Sequence, residues 1–137
     1  MRASRFFRIA SVLLLLFAVG HTLGFREADP GWGVAPVLLA MRSVHFDVQG
    51  FHRTYWDLFL GSGFFVSAFL LFAAALAWQL ARLPPQTLVL LRSATWAFAL
   101  CFAALTILAC TYFFLIPIVF ASLITACLVA AAWCSRN

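Results

Sequence analysis

From Leu88 to Trp133 the chain carries one charged side chain, Arg92, in an otherwise apolar run about twice the length of a membrane span. A bilayer core about 30 Å thick is crossed by roughly 20 helical residues. A run of that length must therefore fold back once. The expected turn lies between Cys110 and Pro117, because Tyr112 suits a membrane interface and Pro117 suits the first turn of a helix. Two further apolar runs precede it, giving predicted spans at 6–25, 55–81, 88–110 and 114–134. The fold class that follows is all-α: a polytopic membrane protein whose four transmembrane helices form one bundle and one domain over residues 1–137.

Composition agrees. The chain has no lysine, is 66 % hydrophobic, and includes 16 phenylalanines among 137 residues. A soluble domain would need a large core to hide so many rings, whereas in lipid they face outward as well as inward. The net charge of +5 does not mark a nucleic-acid surface. The arginines flank apolar runs instead of forming a basic stripe interleaved with aromatics. No nucleic-acid partner is expected. Cys101, Cys110, Cys127 and Cys134 form no Cys-x-x-Cys and sit in apolar runs, where cysteine acts as a small hydrophobe.

Arginine placement sets the expected orientation. Arg2, Arg5 and Arg8 precede the first span, Arg82 and Arg92 bracket a Pro84-Pro85 turn, and Arg136 follows the fourth span. All six fall on one side if both termini are cytoplasmic, the arrangement of an inner (plasma) membrane protein. The other side holds Arg26, Arg42, Arg53 and all four acids. A competing reading takes residues 1–20 as a signal peptide, with Ala18-Val19-Gly20 as the cleavage site and His21 as the new N-terminus. The apolar run continues past Gly20 through Leu23 and Phe25, which favours an uncleaved span.

Residues 26–54 form the one sizeable segment outside the predicted spans. Pro36 opens a candidate short helix at 37–48, with Val37, Met41, Val44 and Val48 on one face and Gly50 ending it. This helix is expected to lie along the outer interface, as either a lid or a strap. Helix association in lipid relies on small residues. The expected packing faces are Gly20 and Gly24 with Ser11, Ala18 and Thr22 in the first span, and Gly61, Ala68 and Ala75 in the second. Ser93, Ala97, Ala104 and Thr111 serve the third, and Ser122, Ala126, Ala130 and Cys134 the fourth. The same faces offer homo- or hetero-oligomer contacts, and membrane lipids are the other expected partner.

Chemistry has few places to live. His21 lies near the outer end of the first span and Asp57 in the first turn of the second, so the two are candidates for a catalytic acid–base pair. Arg53, Tyr55, Trp56, His45 and His52 are candidate ligand-binding residues around them. Each has a structural reading too. Thr54-Tyr55-Trp56-Asp57 fits a capping box, and an acid there complements the positive end of the helix dipole. An ion pair of Asp57 with Arg53 or His21 is the further structural option. Gly61-Ser62-Gly63 leaves room for a lipid or quinone tail, or for close helix packing. No cofactor and no metal are expected. Bis-histidine haem needs two histidines at matched depth, and His21 alone lies in a span. His45, Asp47 and His52 lack a recognised zinc spacing.

Gly20-His21-Thr22-Leu23-Gly24, Arg53-Thr54-Tyr55-Trp56-Asp57 and Gly61-x-Gly63 together resemble a family of small, uncharacterised bacterial four-helix membrane proteins. The resemblance covers most of the chain and implies a fold but no activity. The helix count and size are also similar, more loosely, to DoxX-type membrane proteins. The sequence thus leads to a non-enzymatic interaction, accessory or lipid-binding protein. The alternative is a membrane enzyme or redox accessory using His21 and Asp57 on a lipid or quinone-like substrate.

Overall fold

The computed structural model describes residues 2–135. Arg136, used above for orientation, lies outside the described residues. The elements run α1 (Arg2–Gly24), α2 (Ala35–Ser43), β1 (His45–Val48), β2 (Phe51–Thr54), α3 (Tyr55–Ala81), α4 (Pro85–Leu90), α5 (Arg92–Tyr112) and α6 (Leu115–Cys134). Helices α1, α3, α5 and α6 are long and apolar enough to cross a membrane. The all-α membrane fold is therefore the one present, with a short helix between the first two spans.

Span limits differ modestly from expectation. The third span starts at Arg92 because Pro84-Pro85 opens a separate short helix, α4, which Leu91 ends. The fold-back is made by Phe113 and Phe114, both extended, and Pro117 sits in the first turn of α6, where its missing N–H costs nothing.

The described chain divides into two compact units, one made of α1 up to Phe17 with everything from Leu70 onward, the other of Ala18–Phe69. In the first, α5 packs extensively on α6. Its core holds Phe7, Leu14, Phe102, Ile124 and Leu128, together with many alanines such as Ala10, Ala77, Ala99 and Ala131. Ser4 and Ser11 of α1 donate to the carbonyls of Ala81 and Ala74 of α3, at 2.5 and 2.8 Å. The contact points recur every seven residues on both helices, the period of a left-handed crossing. Thr106 and Thr125 join α5 to α6 through their hydroxyls at 2.9 Å, and Phe17 stacks on Phe120 at 5.2 Å. Hydroxyl bridges of this kind hold helices together where apolar burial gives little drive.

The second unit corrects the predicted helix at 37–48. It stops at Ser43, and His45–Val48 pairs antiparallel with Phe51–Thr54. Val48 faces Phe51, so Gln49 and Gly50 form a two-residue loop, both at positive φ (51° and 84°). That is the geometry of a type I′ hairpin turn. Gly50 thus serves a hairpin and does not end a helix. The β-branched and aromatic residues Val44, Phe46, Val48 and Phe51 favour extended backbone, and over so short a run this outweighs a helical period.

The predicted small-residue faces hold at Ser11 and Ala18, which are buried, and at half-buried Thr22, Ala130 and Cys134, and are corrected elsewhere. Gly20, Gly24, Gly61, Ala68, Ala75, Ser93, Ala97, Ala104, Thr111, Ser122 and Ala126 are exposed in the chain. The buried rows are Ala3, Phe7, Ala10, Ser11, Leu14 and Ala18 in α1, and Ser67, Leu70, Ala74, Ala77 and Ala81 in α3. In α5 they are Thr95, Ala99, Phe102 and Ala109, and in α6 Ala121, Ile124, Leu128 and Ala131. A span bathed in lipid is apolar all round, so hydropathy does not tell the inner face from the outer.

Candidate functional site

Asp57 is occupied locally. Thr54 ends β2 and Asp57 lies in the first turn of α3. The Thr54 N–H and hydroxyl donate to Asp57 Oδ2 at 2.8 and 2.9 Å, and the Asp57 N–H donates back to Thr54 Oγ1 at 3.1 Å. This reciprocal cap satisfies backbone N–H groups that a helix start leaves orphaned, and Thr54 is buried beneath it.

His21 lies in the last turn of α1, half-buried, and its imidazole has no hydrogen-bond partner among the described residues. Its ring meets Phe25 edge-on at 5.1 Å. Phe25 is the residue just past α1, and its N–H donates to the His21 carbonyl at 2.9 Å. No hydrogen bond links His21 to Asp57; each meets its own neighbours, Phe25 and Thr54.

Phe25 is the centre of an aromatic cluster. Its ring meets Phe64 edge-on at 5.4 Å and Phe59 at 6.0 Å. Phe59 stacks on Trp56 at 5.4 Å, and the Arg42 guanidinium lies 4.1 Å from the Trp56 ring centre. Ring contacts thus run from His21 through Phe25, Phe59 and Trp56 to Arg42. A Cβ at Gly63 would overlap the Phe25 ring, so the room left by this glycine is taken by a side chain of the same protein. Close by, the Thr22 hydroxyl reaches Ser67 Oγ at 2.8 Å and the Ala18 carbonyl at 2.7 Å.

The remaining candidates gather on the hairpin. His45 stacks on His52 at 4.9 Å and donates from Nδ1 to the Ser43 carbonyl at 3.0 Å. His52 Nδ1 lies 2.8 Å from Asp47 Oδ1, with both side chains exposed. Arg53 donates to the His52 carbonyl at 2.9 Å and lies over Phe51, and it makes no ion pair with Asp57. Exposed Tyr55 leans on Phe46 at 5.1 Å. Among the described residues no three His, Cys, Asp or Glu side chains are placed to hold a metal ion.

No protein family, curated protein or solved structure matches this chain. The resemblance drawn from its motifs therefore rests on those motifs alone.

Two features escaped the sequence reading. Phe25 and Arg42 join the aromatic cluster, and nothing in their local sequence marks them. The second is a cavity of about 570 Å³ whose lining includes Arg2, Arg5, Arg8 and Arg82. The signal for it was present: Arg2, Arg5 and Arg8 are spaced by three, which puts them along one side of a helix.

Proposed function

We propose that this chain is a small multi-pass protein of the inner (plasma) membrane, both termini cytoplasmic, acting without catalysis as an interaction or accessory protein that binds membrane lipid. One observation carries the reading: the carboxylate best placed for chemistry, Asp57, spends its Oδ2 on capping α3 through Thr54. A general base must be free to reach a substrate proton. Exposed small residues at Gly20, Gly24 and Gly61, where a Cβ would meet nothing within 4 Å, add support for close approach of a partner helix or lipid chain.

The test is native mass spectrometry of the purified protein, wild type against His21→Ala and Asp57→Ala. The expected result is lower thermal stability for Asp57→Ala, with the same bound lipids in all three. Loss of a bound quinone or lipid from a variant that keeps its fold would instead favour the second reading, a membrane enzyme or redox accessory. That reading draws on the unpartnered, half-buried imidazole of His21.

A further inference from the structure

We infer that the arginine-lined cavity is a binding site for a phosphate-bearing anion, supplied at a membrane surface by an anionic lipid headgroup. Arg2, Arg5 and Arg8 come from the first two turns of α1, and Arg82 follows the end of α3. Their volume of about 570 Å³ lies within the usual span of small-ligand sites. Guanidinium groups match phosphate oxygens with paired N–H donors, and several around one cavity suit a phosphate better than a lone chloride.

Charge balance singles this cavity out. All four acids of the chain lie between Glu27 and Asp57, so the unit that holds the cavity contains none. No carboxylate pairs with any of the four arginines among the described residues. Three of them also stand at the start of α1, where the helix dipole disfavours cations. They gain nothing from their own helix, and because all four side chains are exposed their N–H donors remain open to an anion. Leu83 and Leu88 complete an apolar side of the lining, suited to the first carbons of a lipid. The Ser4 hydroxyl is spent on the Ala81 carbonyl, which holds the α1 and α3 sides of the cavity in register.

Orientation signalling alone would require arginines on one side of the membrane and would not require them to share a cavity. The distinction can be measured in purified protein, where membrane insertion no longer matters. The protein is placed in phosphatidylcholine nanodiscs with and without phosphatidylglycerol, and bound lipid is counted by native mass spectrometry. In a second arm, inorganic phosphate is titrated onto the detergent-solubilised protein and followed by thermal shift.

Phosphatidylglycerol should be retained over phosphatidylcholine. Each arginine removed should weaken retention at least about fivefold. Arg5→Gln/Arg8→Gln together should give about 25-fold, while Arg92→Gln, outside the cavity, should cost clearly less than any cavity variant. Arg82→Gln alone serves if the double variant fails to fold. Arg5→Lys/Arg8→Lys, which keeps the charge, should recover only part of the binding.

The inference rests on the lipid-binding reading only for the source of the phosphate. Binding of inorganic phosphate without lipid preference upholds the site and removes the lipid. Equal loss in Arg92→Gln and the cavity variants, or unchanged binding in folded Arg5→Gln/Arg8→Gln and Arg82→Gln, overturns the site itself.

Discussion

Gly63→Ala and Gly61→Ala should move stability in opposite directions, although the two glycines are two residues apart on one helix. Replacing a helical glycine with alanine ordinarily gains up to about 1 kcal/mol. At Gly61 an added Cβ meets nothing within 4 Å, so that gain is realised in full. At Gly63 the added Cβ overlaps the Phe25 ring. The ring is a side-chain tip and can swing aside, but doing so abandons its contacts with His21, Phe59 and Phe64. Aromatic contacts of this kind are worth about 0.5–1.5 kcal/mol each. Losing three costs about 1.5–4.5 kcal/mol, which exceeds the propensity gain. The net expectation for Gly63→Ala is a loss of about 0.5–3.5 kcal/mol, overlapping the range seen for overpacked cores. Thermal unfolding in a single detergent measures both variants, and Phe25→Ala/Gly63→Ala completes a double-mutant cycle. In that background the glycine change should become neutral or favourable, because its obstacle is gone. Gly63→Ala as stable as Gly61→Ala, or a cycle with no coupling, would refute the idea that this glycine exists to seat Phe25.

Thr54→Ala and Asp57→Ala should each lower the melting temperature, and the double variant should be little worse than either, because the two side chains form one reciprocal cap. Ser11→Ala deletes the bond to the Ala74 carbonyl and should cost about 0.6 kcal/mol, the average for such bonds between membrane helices; unfolding in detergent reads it. Arg42→Ala should shift Trp56 fluorescence and cost about 0.5–1 kcal/mol through the lost cation–π contact. Asp47→Asn breaks an exposed pair with His52 and should change stability by less than about 1 kcal/mol.

The spans were legible because lipid imposes a length on apolar runs: α3 begins at Tyr55 and ends at Ala81, where expected. The Asp57 cap was legible because its partners lie three residues apart, within one turn. What the sequence hid is whatever depends on direction. Ala97 and Ala99 are both small and apolar, yet Ala99 is buried and Ala97 exposed. Hydropathy cannot separate them when the solvent is itself apolar. Ser4 and Ser11 were a better guide, since a hydroxyl in a span must bond to something and these two mark the seam with α3. The hairpin was missed because Val37 to Val48 holds a helical and an alternating pattern at once, and the positive φ at Gln49 has no residue signature. The cluster around Phe25 was missed because a phenylalanine beside a membrane span carries no information about what it touches.

The polar groups of this chain are treated differently at the two ends of its first helix. Near the last turn of α1, Asp57 is capped into α3, Asp47 is held by His52, and Arg42 is laid on Trp56. These three charges each meet a neighbour close in sequence or stacked beside them. Around the first turns of α1, four arginines share a cavity, and no carboxylate among the described residues answers them. All four are exposed, so their N–H donors are open to an anion from outside the chain. On the proposed reading an external anion meets the arginines, while Asp57 caps the start of α3 and His21 lies against the edge of Phe25.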